Sequence, residues 1–317
     1  MYQKDLDARV DITHHLANVG VDKQKIPALD TIDLKHYAED RSLSVCLVDH
    51  NEPDCTQDYL IPHVTRVVDH HQDKNTEYPR INHKDVRFSG SAISLILEEL
   101  GKDKKWVDKL LTPKVAYLSV APILLDSDNM NKDLKSTKWG NVDEKALKLI
   151  QDKSDNIIPS NYFDDLYFQK TDTKINLNLG FSLLQRKDYK NYKIAGKTWG
   201  ISVIFMDLET INKEFGSETF KKELHKIVEE KQLDMYAIMT QFKTPNSTRI
   251  GRQLCIYSPK RSNLFLMQDL FENTDKIKLD PLQVGKISKL EYVYCYTNDS
   301  QEFSRKKFEP VIRDYFK

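Results

Sequence analysis

The chain has 317 residues, long enough for one large or two ordinary domains, each with its own hydrophobic core. Its 48 lysine and arginine residues balance 48 aspartate and glutamate residues, so no overall charge attracts it to nucleic acid or to an anionic membrane. No apolar run approaches the roughly 20 residues that span a bilayer. We therefore expect a cytoplasmic globular protein that binds neither a nucleic acid polymer nor a membrane.

The cysteine pattern agrees with that expectation. Cys46, Cys55, Cys255 and Cys295 are scattered along the chain, and no two of them have C-x-x-C spacing. Such spacing predicts reduced thiols rather than a disulfide framework or a zinc site.

The first 20 residues have helical spacing, with Val10, Leu16 and Val19 on the apolar side. Within them, Asp5-Leu6-Asp7 has the form of a D-x-D metal motif. No strand precedes this motif to carry its carboxylates to a sheet edge. We therefore predict a helix surface here and no metal site.

Two apolar runs rich in valine follow, at 45–48 and 64–68, and each ends abruptly in aspartate and histidine. Their length and composition predict neighbouring parallel strands. In an open α/β sheet, ligands bind beyond the carboxyl ends of the strands. We therefore expect one polar edge formed by the residues that follow the two strands: Asp49, His50, Asn51, Asp69, His70 and His71.

One Asp-His pair after a strand is commonly only a turn, whereas two such pairs after neighbouring strands favour a site. Carboxylates and imidazoles together suit a divalent metal of the Mn, Mg, Co or Zn kind. The sequence thus predicts a metal site at this edge.

A strand at 86–88 leads into a serine-glycine-serine turn and then a helix at 92–100. Backbone N–H groups at a helix start attract anions, so Gly90 and Ser91 are candidates to face a phosphate. The alternative is a glycine turn with a serine N-cap.

Residues 106–125 are predicted to form one largely buried helix, and the Asp126-Ser127-Asp128 sequence after it delivers one acid to the polar edge. The stretch 135–155 is polar and predicts a surface helix followed by a linker. The pattern changes near residue 155, so we predict two domains, 1–155 and 156–317.

The second domain is predicted to be α+β with several antiparallel strands. Its pattern gives helices at 161–170, 179–189, 208–230, 263–272 and from 305, and strands at 199–206, 233–240, 252–257 and 292–296.

Two basic stretches stand out in this domain, at 186–190 and 304–307. Charged runs usually face solvent. The second run is unusual, because Ser304 is the predicted N-cap and cations in the first helical turn oppose the helix dipole. An anionic ligand would resolve that conflict.

The order of these motifs resembles the DHH phosphoesterase superfamily over nearly the whole chain. It is most similar to the branch that contains exopolyphosphatases, manganese-dependent inorganic pyrophosphatases and the prune proteins, with R-V-D-I at 9–12 and F-M-D-L-E at 205–209 most like prune. The segments that carry the resemblance are V-D-H-N-E at 48–52, V-D-H-H at 68–71, S-G-S-A at 89–92, I-L-L-D-S at 123–127, R-K-D-Y-K at 186–190 and S-R-K-K at 304–307.

The resemblance implies an N-terminal DHH domain with a mainly parallel sheet, a smaller C-terminal α+β domain, and an active cleft between them. It implies a phosphohydrolase that uses Mn²⁺ or Mg²⁺, with Co²⁺ as a substitute. The implied substrate is short-chain polyphosphate or a pyrophosphate-like anion, with a cyclic nucleotide as the other option.

The resemblance also implies roles for individual residues. Asp49 would bridge two metal ions, and His70 and Asp126 would each ligate one. His71 would contact the scissile phosphate and protonate the leaving oxygen.

The substrate's phosphate oxygens would be held mainly from the second domain. The implied residues are Lys190, Arg305 and Lys306, together with His71 and the predicted helix start at Ser91. Cations at these places would neutralise the phosphoryl oxygens.

The sequence departs from the family pattern at one place. The resemblance implies a preceding strand that ends in (H or N)-x-x-x-D-x-D, and this motif does not occur before Val45. We therefore expect weakened metal binding and, if the chain is a truncated product or isoform of a longer protein, an open strand edge at 45–48 or 64–68. The alternative is a sheet with a gap at the place of the missing strand. The alternative function is a catalytically weak or inactive prune-like protein that binds polyphosphate or protein partners.

Overall fold

The computed structural model describes residues 2–40, 42–54, 56–244, 250–298, 300 and 303–316. Cys55 lies outside the described residues. By their internal contacts the residues form two compact units, Met1–Leu6 with Val10–Gln169 and Asp7–Arg9 with Lys170–Lys317. The second unit starts later than the predicted change near residue 155, because Tyr162 and Leu166 pack into the core of the first unit.

No helix in the described part of the chain combines the length and apolar character needed to cross a membrane.

The first unit combines a small sheet with many helices. Its strands are β1 (Val45–Val48), β2 (Val64–Asp69) and β3 (His83–Val86), and its helices are α1 (Gln3–Leu6), α2 (Val10–Ala17), α3 (Leu34–Glu39), α4 (Ala92–Leu100), α5 (Lys104–Leu110), α6 (Pro113–Asp126), α7 (Asn141–Lys153) and α8 (Tyr162–Thr171).

The three strands form a parallel sheet in the order β1-β2-β3, which confirms the predicted parallel pairing of the two valine-rich runs. Buried Leu47, Val64 and Val67 pack with Tyr78 beside this sheet. Among the described residues β1 is an edge strand, and its Val48 is 40% exposed.

Helices α4 to α8 share a second apolar cluster. The single helix predicted for 106–125 is wrong, because α5 ends at Leu110 and α6 begins at Pro113. Thr112 caps α6 by accepting a hydrogen bond from the Val115 N–H, and proline is favoured at the first helical position. The predicted N-terminal helix is likewise two short helices, α1 and α2.

The second unit contains a mixed seven-stranded sheet. Its strands are β4 (Tyr189–Ile194), β5 (Lys197–Ile204), β6 (Met235–Thr240), β7 (Phe242–Lys243), β8 (Ile250–Tyr257), β9 (Asp280–Pro281) and β10 (Val293–Asn298), and its helices are α9 (Thr173–Asn178), α10 (Gly180–Leu184), α11 (Leu208–Lys231), α12 (Arg261–Asn273) and α13 (Arg305–Tyr315).

The main strand order is β4-β5-β6-β8-β10-β9, in which only β5 and β6 pair in parallel, so the predicted antiparallel character is confirmed. Strand β6 is buried on both faces. Met235 and Ala237 point into one apolar cluster with helices α12 and α13, whereas Tyr236 and Ile238 point into the other with α10 and α11. The sheet is thus covered by helices on both sides.

Strand β4 was missed in the sequence, where 179–189 was predicted as a helix. The chain instead forms the short α10 and then a β4–β5 hairpin. The connecting residues Ala195 and Gly196 both have positive φ, 49° and 75°, as a two-residue hairpin turn requires.

Ile201 provides a test of the apolar cluster between the mixed sheet and helices α12 and α13, because it is fully buried there in the middle of β5. We expect Ile201→Ala to lower the free energy of unfolding by about 2–5 kcal/mol through the cavity that it leaves, and Ile201→Val to lower it by about 0.5–1.5 kcal/mol. Urea unfolding followed by circular dichroism measures both changes. If both variants lost the same small amount of unfolding free energy, this packing would be contradicted.

Candidate metal site and phosphate-binding residues

The pairing of β1 with β2 brings the residues after the two strands together. Val48 stands opposite Val68, and the N–H of Asp49 donates to the Val68 carbonyl at 3.1 Å. Beyond this pair lies a group of four residues whose ligand atoms are all within 4.8 Å of one another: Asp49, Asp69, His70 and His71.

Asp49 ends β1 in a left-handed conformation, with φ of 65°. Aspartate adopts this region more readily than most residues do. The Asp49 side chain is 59% exposed, and its Oδ1 lies 3.1 Å from Nε2 of His70 and 3.9 Å from Nδ1 of His71. Asp49 therefore presents a carboxylate to solvent beside two imidazoles.

His70 is held in one orientation by the backbone. Its Nδ1 lies 3.0 Å from the Ser89 carbonyl oxygen, to which it can only donate a hydrogen bond. In the neutral ring the proton is therefore on Nδ1, and the Nε2 lone pair points toward Asp49. Such a carbonyl-oriented imidazole is the usual arrangement of a histidine metal ligand.

Asp69 is the buried anchor of the group. Its Oδ1 accepts hydrogen bonds from the backbone N–H groups of His70 at 2.7 Å and His71 at 3.2 Å, and lies 2.7 Å from Nδ1 of His71. Its Oδ2 accepts from Nδ2 of Asn51 at 2.5 Å. Both oxygens of Asp69 thus accept hydrogen bonds, and these bonds hold Asn51, His70 and His71 in place.

The electrostatics of Asp69 agree with this role. Burial by itself raises the pKa of its carboxyl. The hydrogen bond and positive charge of His71, with the hydrogen bond from Asn51, lower the pKa more strongly. The net pKa lies well below its ordinary value, so Asp69 is an anion that holds His71 in place.

Asn51 ties the loops after β1 and β2 together. In addition to Asp69, its Nδ2 donates to the Gln72 carbonyl at 3.1 Å, and its Oδ1 accepts from the Lys74 N–H at 2.8 Å. The sequence placed Asn51 and Asp69 at this edge but gave neither a role. In the sequence, the signal for these two residues was their place in the V-D-H-N and V-D-H-H motifs.

Some predicted residues lie outside this group. His50 is exposed, and its Nδ1 lies 2.8 Å from the Val48 carbonyl oxygen. Asp126 is exposed at the end of α6 and is not among the four clustered residues. Its role as a metal ligand stays a prediction.

The predicted phosphate contact at Ser91 also stays a prediction. Ser91 is 3% exposed at the start of α4. The neighbouring Gly90 N–H donates to Oδ2 of Asp143 at 2.8 Å, so a protein carboxylate takes the place at which an anion was expected.

The donor set fits a divalent metal. Ligand bonds of roughly 2.0–2.2 Å place two neighbouring ligand atoms about 3 Å apart, and Oδ1 of Asp49 and Nε2 of His70 are separated by 3.1 Å. A carboxylate with an oriented imidazole suits Mn²⁺ and related ions.

The second unit carries the other predicted site residues. Arg305 begins α13, and its guanidinium donates from Nη2 to Oδ1 of Asp188 at 2.7 Å and from Nη1 to the Asp188 carbonyl at 2.8 Å. Lys190, on β4, and Lys306, in the first turn of α13, are exposed. Asp188 thus compensates part of the positive charge at the start of α13.

Partial burial raises the pKa of the Asp188 carboxyl. The positive charges around it, Arg305 first and then Lys170 and Arg9, lower the pKa more, to about 2. A carboxyl with a lowered pKa stabilises the folded state above its unfolded pKa, near 4, and that contribution is lost as pH falls toward 2.

The lowered pKa of Asp188 predicts a stability that depends on pH. We expect Asp188→Asn to lower the melting temperature at pH 7, because Arg305 loses its charged partner. The difference from the unchanged protein should shrink between pH 4 and pH 2, where the native carboxyl itself takes up a proton. Thermal melts across this range test it, and a difference that grows toward acid pH would contradict the assignment.

Comparison with known proteins agrees with the motifs. Residues 174–315 match the DHHA2 domain. Human exopolyphosphatase PRUNE1 is 26% identical over 314 residues, which cover 98% of this chain and 66% of that protein, and bovine exopolyphosphatase PRUNE1 is 26% identical over 318 residues with the same coverage. The chain thus spans slightly less than two thirds of the length of these relatives.

One solved structure shows the same fold. It is that of a Methanococcus jannaschii protein assigned as a family II inorganic pyrophosphatase, with a TM-score of 0.64 and 17% identity over 97% of this chain and 88% of that chain. Together with the DHHA2 match and the prune relatives, this shared fold supports the resemblance of the chain to the DHH phosphoesterase superfamily and its prune branch.

Proposed function

We propose that this protein is a cytoplasmic, metal-dependent phosphohydrolase that cleaves the phosphoanhydride bonds of short-chain polyphosphate. The observation that carries the proposal is the Asp49–His70–His71 group, anchored on Asp69 at the ends of two parallel strands. The relatives named as exopolyphosphatases support this choice of substrate over a cyclic nucleotide.

Asp49 and His70 would hold the divalent ion, Mn²⁺ or Mg²⁺, with Asp126 as a further ligand. When bound, such an ion polarises the phosphoryl group and lowers the pKa of a bound water. The protein's part is to place the Asp49 carboxylate beside His70 and to keep the His70 Nε2 lone pair available, which the Ser89 carbonyl does for His70.

His71 would act on the leaving group. The Asp69 carboxylate lies 2.7 Å from Nδ1 of His71 and accepts a hydrogen bond from a proton on that atom. Nε2 is then the atom from which the ring would donate a proton to the leaving phosphate oxygen. A fixed ring loses less entropy in reaching that geometry.

Lys190, Arg305 and Lys306 would neutralise the substrate's phosphate oxygens. Arg305 suits this work, because its described bonds use three of its five N–H groups, to Asp188 and to the Ile201 carbonyl. Asp188 holds the guanidinium in place without consuming all of its donors.

The proposal is tested by orthophosphate release from tripolyphosphate and tetrapolyphosphate with Mn²⁺, Mg²⁺ or Co²⁺. We expect Asp49→Ala and His70→Ala each to lower the rate by more than about 100-fold, since each removes a metal ligand. His50→Ala is the matched control, because His50 neighbours Asp49 but faces solvent. Full activity in both ligand variants would overturn the assignment of the site.

A second function is favoured by one feature of the group. Both oxygens of Asp69 already accept hydrogen bonds, so Asp69 is poorly placed to bind a metal as well. Asp49 and His70 can then hold one ion, and few ligands remain for a second. The protein would then be a prune-like module that binds polyphosphate or a protein partner with little turnover. Two tightly bound metals per chain would exclude this module.

Calorimetry with a non-hydrolysable analogue such as imidodiphosphate, combined with metal analysis, separates the two functions. Tight anion binding with less than one metal per chain and no phosphate release favours the module. Metal-dependent release that His70→Ala abolishes favours the enzyme.

A further inference from the structure

The peptide group that joins Ser89 to Gly90 is held at both of its polar ends. Its carbonyl, on Ser89, lies 3.0 Å from Nδ1 of His70 and accepts a hydrogen bond from that ring. Its N–H, on Gly90, donates to Oδ2 of Asp143 at 2.8 Å. A trans peptide is planar, so its C=O and N–H point in opposite directions from one rigid group. A side chain of α7 is thus connected to the His70 imidazole through a single peptide.

Asp143 differs from other aspartates that cap helical turns in the first unit. It is 0% exposed in the first turn of α7, where its Oδ2 also accepts from the Gly140 N–H at 2.8 Å. The capping residues Asp22, Asp33 and Asp103 are exposed. Burying a carboxyl group is costly, and a helix cap does not require it. Capping alone therefore does not explain why this carboxyl group lies against the turn at 89–91.

Glycine at position 90 is what allows this close approach. A Cβ there would lie 3.1 Å from Oδ1 of Asp143 and 3.0 Å from Cβ of Trp139. Non-bonded carbon atoms have their optimal separation at about 3.5–4.0 Å. Trp139 is itself buried, and its indole N–H donates to the Asn131 carbonyl at 2.8 Å. A side chain at position 90 would therefore displace the Asp143 carboxyl group or the peptide that it holds.

The rest of the turn is also fixed. Oγ of Ser89 donates to the Ser91 carbonyl at 2.9 Å, and both serines are buried. The direction of the Ser89 carbonyl then depends on what holds the plane of the peptide between Ser89 and Gly90. The described bond that does so on the N–H side is the one to Asp143.

We propose that Asp143 is a positioning residue for the metal site. It acts through the peptide between Ser89 and Gly90, whose carbonyl keeps the His70 ring turned so that Nε2 lies beside Asp49. The inference rests on the metal site of the proposed function and deepens it. Asp143 itself contacts neither the metal nor the substrate.

The physical reason is the orientation of a ligand. A metal-binding histidine is fixed by the acceptor of its other ring nitrogen, and loss of such a partner lowers metal affinity. Here that acceptor is a backbone carbonyl, which is only as fixed as its peptide plane. Hydrogen bonds that form a chain also strengthen one another. Without Asp143 the peptide can tilt, and the His70 ring can tilt with it.

The test measures Mn²⁺ binding to the full chain by calorimetry, without substrate. We expect Asp143→Ala to weaken Mn²⁺ binding about 10-fold, as loss of an outer-shell partner of a metal ligand does. Asp143→Asn keeps an acceptor oxygen for the Gly90 N–H and should weaken binding less than about 3-fold.

Gly90→Ala is an independent variant, because it displaces the carboxyl group and leaves Asp143 in the chain. It should also weaken Mn²⁺ binding, by about 10-fold. It decides the matter if Asp143→Ala does not fold.

Asp103→Ala is the matched control, because it removes a capping aspartate from α5 in the same unit. It should lower the melting temperature through the lost cap and change Mn²⁺ affinity less than about 2-fold. A purely structural role of Asp143 would give the same result in Asp143→Ala.

Mn²⁺ affinity in Asp143→Ala or Gly90→Ala as high as in Asp103→Ala would overturn the inference. An equal loss in Asp143→Asn and Asp143→Ala would overturn it too, since the acceptor oxygen would then not matter. Normal phosphate release with unchanged Mn²⁺ affinity in these variants refutes the positioning role alone. Weakened Mn²⁺ binding in a chain that releases no phosphate supports the positioning role and refutes the enzyme. No Mn²⁺ binding by the unchanged protein refutes both.

Discussion

The parallel pairing of β1 with β2 is the constraint on which the candidate site depends. Val48 opposite Val68 places Asp49 beside the Asp69-His70-His71 sequence that ends β2. Because successive side chains of a strand point to opposite faces, a slip of one residue would send each side chain to the wrong side of the sheet. Leu47 and Val67, buried against the same cluster, oppose that slip. The apolar residues of these strands thus position the polar residues that follow them.

Asp69 turns this placement into a rigid group. A buried carboxylate is costly unless its oxygens are hydrogen-bonded. Here Asn51 and the two histidines supply those bonds, and in return they are held in place. Asp188 does the same in the second unit, where it holds Arg305 at the start of α13. In both units a carboxylate thus fixes the orientation of a basic side chain beside it.

The sequence predicted the parts of the fold that short patterns determine. The paired β1 and β2 strands, the α4 helix after Gly90 and the α+β character of the second unit follow from apolar periodicity and turn residues. The helix predicted at 179–189 was wrong, because its apolar residues Phe181 and Leu184 belong to a short helix and the remainder starts a hairpin. Periodicity alone does not mark such a change. The clustering of Asp49 with His70 and His71 was predictable from strand ends, whereas the engagement of Asp69 depends on contacts between distant loops that no local pattern contains.

A Co²⁺ titration tests most directly whether Asp49 and His70 bind a divalent metal. Co²⁺ replaces Mn²⁺ and Mg²⁺ at oxygen and nitrogen ligands, and its visible absorption reports its coordination. We expect a saturable absorption band in the unchanged protein and in His50→Ala, and loss of that band in His70→Ala. A band of equal intensity and affinity in His70→Ala, or no binding in the unchanged protein, would contradict it.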